Sequence, residues 1–128
     1  MDAALRDFVR RRASNRCEYC LVHQDDDPYF RFHVEHVLPQ KHGGDDTAEN
    51  LALACRHCNL HKGPNIAGID PEEGALTPLF DPRSHLWSEH FTFQGALVLG
   101  LTSVGRSTVQ VLAMNDSDRV DLRIHAAD

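Results

Sequence analysis

Four cysteines in this 128-residue chain fall as two C-x2-C pairs, Cys17/Cys20 and Cys55/Cys58, with 34 residues between the pairs and no cysteine left over. Two intervening residues let a tight turn aim both sulfurs of a pair at one point, so the doublet predicts four thiolates on one tetrahedral Zn2+. Disulfides or a redox pair are the competing uses. A thioredoxin-like C-x2-C needs only one pair, and disulfides need an oxidising compartment. Four thiolates would saturate the zinc and leave no position for a reacting water, so hydrolytic chemistry would need a different site. Donors for one stand close by in the chain: His33, Glu35 and His36, then Asn50, then Asn59, His61 and Lys62 directly after Cys58.

The elements that must position these residues are legible in part. Leu5, Phe8 and Val9 recur at helical spacing over residues 2–13, with arginines mostly on the other side and Asp2 as a cap, which predicts a short amphipathic helix leading into the first cysteine pair. After a turn at Asp25-Asp26-Asp27-Pro28, the segment Phe30 to Leu38 alternates apolar Phe30, Phe32 and Val34 with polar Arg31, His33 and Glu35, as a half-buried strand does, and Pro39 ends it. A loop with Gly43-Gly44 follows, then a short apolar strand from Leu51 to Ala54, then a helical stretch over Asn59 to Lys62, closed near Gly63-Pro64. Glu35 and His36 alternate across the strand, so a bend or bulge near Pro39 is expected to bring both to one site. From Gly63 to Ser84 the density of Pro and Gly predicts an irregular wrap whose Ile66, Ile69, Leu76, Leu79 and Phe80 pack on the core. Phe91–Phe93 and Ala96–Leu101 flank Gln94-Gly95 as a hairpin, Thr102 or Ser103 can cap a helix over Val104–Ala113, and a last helix runs from Ser117 to Ala126.

The run His33-Val34-Glu35-His36-Val37-Leu38-Pro39, then Gly43-Gly44, Glu49-Asn50-Leu51 and Cys55-x2-Cys58-Asn59-x2-Lys62 resembles the zinc-containing HNH endonucleases, including small stand-alone bacterial members. The match covers residues 17–63 and involves element order as well as identity. It implies an α+β fold: a ββα-metal core with a four-cysteine zinc site, an N-terminal helix, and a C-terminal hairpin plus helices. The expected organisation is one nuclease domain over residues 1–128, with the core at about 17–63 and an extension over about 64–128; 41% hydrophobic and 7% aromatic content suit one modest core.

The resemblance implies catalytic roles for Glu35, His36, Asn50 and Asn59. Hydrolysing a DNA phosphodiester needs an activated water in line with the leaving 3′ oxygen and positive charge at the phosphate. His36 corresponds to the general base, a role neutral imidazole suits. Glu35 and Asn59 correspond to the ligands of a divalent ion. Glu stands where Asp is commoner and Asn where many members have His, and a carboxylate with an amide oxygen favours Mg2+ or Mn2+. Asn50 corresponds to the residue that holds the intervening loop and so orients the base. Retention of all four favours an enzyme; the alternative is a catalytically inactive zinc module that binds nucleic acid or protein.

Nine histidines left neutral, the chain carries a net charge of −6, unusual for a protein that holds phosphates. Arg6, Arg10, Arg11, Arg12 and Arg16 crowd the N-terminal segment, so a basic face can coexist with an acidic total. Candidate DNA contacts are Lys62, His61, His42, Arg10, Arg12 and Arg16, with Lys62 and His61 also placed to assist the leaving group. No recognition helix is evident, so sequence specificity would come from a protein partner or a homodimer. Trp87, Phe91 and Phe93 read as core rather than as base-stacking residues. No leader and no apolar stretch of about 18 residues is present, so the expected location is cytoplasmic, with no membrane contact.

Overall fold

The structure, a computed structural model, describes residues 1–127. Helix α1 (Ala3–Arg12) is followed by strand β1 (His33–His36), strand β2 (Leu51–Ala54) and helix α2 (Arg56–Lys62). Two further hairpins follow, β3 (Ala67–Ile69) with β4 (Leu76–Pro78) and β5 (Phe91–Gln94) with β6 (Leu97–Gly100), the second entered through the short helix α3 (Trp87–His90). Helices α4 (Ser103–Val111) and α5 (Ser117–Ala126) complete this α+β fold. No helix among the described residues is long and apolar enough to cross a membrane.

Strands β1 and β2 pair antiparallel with His33 opposite Ala54 and His36 opposite Leu51. All four residues of β2 are buried, because α1 and α2 both pack against this two-stranded sheet. Val9 of α1, Tyr19, Phe32, Leu51 and Leu53 form its core, and Phe91, Val98, Leu112 and Met114 continue that core into the C-terminal half. Each large apolar side chain removed from water this way contributes roughly 1.5–3 kcal/mol.

Local chemistry accounts for the element ends. The Asp2 carboxylate accepts the Leu5 N–H at 2.8 Å and caps α1. The Thr102 hydroxyl accepts the Gly105 N–H and caps α4. Gly95, at φ 59°, turns the β5–β6 hairpin. Trp87 stacks against Phe91 and Phe93 at centroid distances of 5.2 and 5.1 Å and donates its indole N–H to the Tyr19 carbonyl at 2.7 Å.

Three segments differ from the sequence expectation. The first strand is shorter than Phe30–Leu38, because the Gln24 side chain takes over the bonding of residues 30–32: its amide nitrogen donates to the Phe30 carbonyl and its oxygen accepts the Phe32 N–H at 2.7 Å. Helix α2 begins at Arg56, three residues earlier than expected, because the Cys55 sulfur serves as its N-cap. The Pro/Gly-rich stretch from residue 63 to 84 contains the β3–β4 hairpin. Asp70 builds its turn by accepting the Glu72 N–H through Oδ1 and the Gly74 N–H through its carbonyl. Leu79 and Phe80 of this stretch are buried, whereas Ile66, Ile69 and Leu76 remain exposed.

Candidate functional site

The four cysteines come together as their spacing predicts, all buried, with their sulfurs within 4.8 Å of one another. Sulfurs bound at about 2.3 Å to one tetrahedral ion lie about 3.8 Å apart. Cys20 Sγ and Cys55 Sγ are 3.8 Å apart, nearly twice a disulfide bond length. Each pair is a turn in which the second cysteine's N–H points at the first one's sulfur, at 3.5 Å for Cys20 to Cys17 and 3.4 Å for Cys58 to Cys55. Burial pushes the Cys17 thiol up, hydrogen bonding with its neighbours pushes Cys58 up, and the same network pulls Cys20 down. A cation at the centre would resolve this conflict. The donor set therefore fits zinc. From α5, the Arg119 guanidinium reaches 3.4 Å from Cys55 Sγ and 3.0 Å from Asp27 Oδ2, placing positive charge beside the thiolates.

Beside this cluster, β1 and helix α2 wall an open cavity of about 430 Å³ whose lining includes Glu35, His36 and Asn59 together with His33, Gln40 and Gly63. The structure thus gathers three of the four residues expected to act. The expected bulge is absent: the ladder is regular through His36 and continues with the Val37 N–H donating to the Asn50 carbonyl at 2.8 Å. The cavity lies at the strand end and is wide enough to be bordered from both faces, so the pleat need not be broken.

Glu35 faces inward. One oxygen accepts a short hydrogen bond from the Tyr19 hydroxyl, and Oε2 lies 3.2 Å from Lys62 Nζ. Burial raises the Glu35 carboxyl above its ordinary value, while Lys62 and Tyr19 pull it back toward ionisation. Burial and the neighbouring Glu35 push the Tyr19 phenol well up, so it acts as a donor. Two donors occupy one lone pair on each carboxylate oxygen. Glu35 and Asn59 both line the cavity, and a carboxylate with an amide oxygen is a donor set that a hard divalent cation takes.

Asn50 clamps the loop between the strands from both sides. Its Oδ1 accepts the Leu38 N–H at 2.9 Å, and its Nδ2 donates to the carbonyls of Leu38 and Asp45, each at 3.0 Å. A Cβ at Gly44 would fall 1.6 Å from the Leu38 carbonyl oxygen, so only glycine lets the loop pass here. The loop then delivers Asp46, whose Oδ1 lies 2.6 Å from His36 Nε2. Sequence reasoning missed Asp46. It sits in a loop without periodicity, and its position two residues after Gly44 is the only signal.

The residues expected to contact DNA are mostly committed elsewhere. Lys62 is 2% exposed, and its ammonium also donates to the carbonyls of His36 and Val37 at 3.3 and 3.1 Å, so it is an internal clamp and its amine is not offered to a phosphate. The mostly polar sequence of α2 gave no hint of this; the partner buried opposite is what draws it in. Arg10 donates to the Phe32 carbonyl, Arg12 to those of Ala48 and Leu51, and Arg16 to that of Leu21, which fixes α1 and the first cysteine turn to the core. His42 contacts the Pro64 carbonyl at 3.1 Å. His61 lies outside the cavity, with its Nδ1 on the His57 carbonyl.

Residues 17–65 match the HNH endonuclease family model. The chain is also similar to the Septu protein PtuB of Bacillus thuringiensis, 28% identical over 115 residues that cover 84% of this chain and 40% of the relative, so it spans less than half of that protein's length. No solved structure matches. The segment that holds the cysteine cluster and the cavity, residues 17–65, is thus the part of the chain that is similar to the HNH endonuclease family.

Proposed function

We propose that the chain acts as one metal-dependent nuclease domain that hydrolyses phosphodiester bonds in DNA, at the cavity bordered by Glu35, His36 and Asn59. The observation that carries this reading is the meeting of a carboxylate, an amide and an imidazole at one opening beside an HNH-type cysteine cluster. Zn2+ on the four cysteines would have a structural role, locking the Cys17–Cys20 turn to the junction of β2 and α2. Glu35 and Asn59 would hold Mg2+ or Mn2+, which when bound supplies positive charge at the scissile phosphate.

The chain's own groups do the rest. With Nε2 engaged by Asp46, His36 has Nδ1 free to take the proton as a water attacks phosphorus, and the departing 3′ oxygen takes its proton from solvent. Asn50 keeps the loop, and with it Asp46, at the correct height over β1. Tyr19 and Lys62 fix the Glu35 carboxylate so that little reorganisation is needed when a cation arrives. Cytoplasmic action on DNA delivered by a protein partner or a second copy fits the acidic net charge.

A second reading, a non-catalytic zinc module, is favoured by one observation: both Glu35 oxygens already have partners. Plasmid nicking separates the two. The expected outcome is cleavage with Mg2+ or Mn2+, none in EDTA, and a loss of about 10²–10⁴-fold in His36→Ala. DNA binding by pure wild type with no cleavage in either metal would establish the module instead. For the cysteines, metal analysis should return one zinc per chain, and Cys55→Ser should fail to fold stably.

A further inference from the structure

Helix α2 advances about 100° per residue, so His57 and His61 share a stripe on the side opposite Asn59, away from the cavity. Their rings lie against each other, with centroids 4.1 Å apart. Asp116 approaches from the turn between α4 and α5, and one ligand atom from each of the three residues lies within 4.8 Å of the others. His57 is half-buried, and His61 and Asp116 are exposed.

We infer that His57, His61 and Asp116 form a further metal site, for a borderline divalent transition ion of the zinc class. Each imidazole already has one nitrogen on a backbone carbonyl: His57 Nε2 lies 2.8 Å from the Ala113 oxygen, and His61 Nδ1 lies 2.8 Å from the His57 oxygen. A carbonyl only accepts, so both nitrogens carry hydrogen, and the lone pairs are left on His57 Nδ1 and His61 Nε2. This is how ligating histidines are commonly oriented.

Asp116 supplies the independent sign. It occupies the N-cap position of α5, where an aspartate ordinarily accepts a helix N–H, yet its side chain makes no cap hydrogen bond, and it forms no ion pair among the described residues. Its carboxylate is uncommitted beside two imidazoles. Two nitrogens and one carboxylate oxygen suit Zn2+, Co2+ or Ni2+ better than Mg2+. Bound there, the ion would tie α2, which carries Cys58 and Asn59, to the α4–α5 turn.

The test uses zinc-loaded full chain titrated with Co2+ and, separately, with Zn2+. One added equivalent should bind. Co2+ should give weak visible ligand-field bands without thiolate charge-transfer absorption, which would mark entry into the cysteine cluster. His61→Ala and Asp116→Asn should each weaken the added equivalent at least about tenfold, while Glu35→Gln should leave it unchanged. His61 and Asp116 are exposed, so folding should survive in those two variants, and circular dichroism checks the fold of all three. Thermal denaturation gives a second readout: added Zn2+ should raise the midpoint of wild type and not that of His61→Ala. Absence of an added equivalent up to 100-fold excess metal would overturn the inference. So would its loss in Glu35→Gln with retention in His61→Ala, which would assign the ion to the cavity. Neither result depends on whether the protein cleaves DNA.

Discussion

His36 Nε2 and Asp46 Oδ1 are 2.6 Å apart, a contact bridging a strand end and a loop ten residues away. The hydrogen bond from His36 holds the Asp46 carboxyl below its ordinary value, so at neutral pH it is an acceptor and the ring nitrogen facing it carries the proton. Asp46 is thereby a positioning residue for the proposed base. Asp46→Ala should lower kcat by roughly 10- to 100-fold with little change in KM, and Asp46→Glu should recover part of it. Equal losses in kcat/KM and in folding stability would mean that Asp46 only holds the loop.

Lys62 and Glu35 are 2% and 8% exposed, and neither has water to fall back on if the other is removed. Lys62→Met should therefore destabilise the fold by about 3–5 kcal/mol, measured by urea denaturation. The double variant Lys62→Met/Glu35→Gln should regain a good part of that, because no charge is then stranded. A double variant as unstable as the sum of the two single ones would show that the pair is uncoupled.

Arg119 brings the one guanidinium that touches the cysteine cluster among the described residues. Replacing it with Met keeps most of the packing and removes the N–H···S contact. Zinc should then be lost to a competing chelator about 10- to 100-fold more readily, with Asp27→Asn showing a smaller effect in the same direction.

Asp70 sits under the β3–β4 turn with both oxygens on Arg106, at 2.9 and 2.8 Å. The Arg106 hydrogen bonds lower its carboxyl from 3.8 to about 2. Because the folded state holds this proton less tightly than the unfolded chain, stability from the pair is complete above about pH 4 and is lost as pH falls toward 2. Asp70→Asn should flatten the acid limb of the stability profile in that window and leave the slope above pH 5 unchanged.

The cysteine spacing, the caps at Asp2 and Thr102, the Gly95 hairpin and the two C-terminal helices were legible because each is a local signal read within a few residues. What stayed hidden depends on contacts between distant segments. Gln24 replaces ladder bonds for residues 30–32, and Glu35 draws Lys62 inward from 27 positions away. The β3–β4 hairpin was masked by its own turn chemistry: Pro71 and Gly74 lie in the turn and Pro78 closes β4, so residues that usually break strands here delimit them.

The arginines of the N-terminal segment carry a consequence for how the protein would meet a polyanion. Affinity for bare duplex comes largely from cations that displace the counterions condensed on phosphates, and each such contact steepens the dependence on salt. Arg10, Arg12 and Arg16 direct guanidinium nitrogens at main-chain carbonyls, and Lys62 is spent on Glu35. A protein built this way has fewer side chains free to reach phosphates than its count of cations suggests: its hold on naked DNA should be weak, and cutting would follow whatever brings the strand to the cavity.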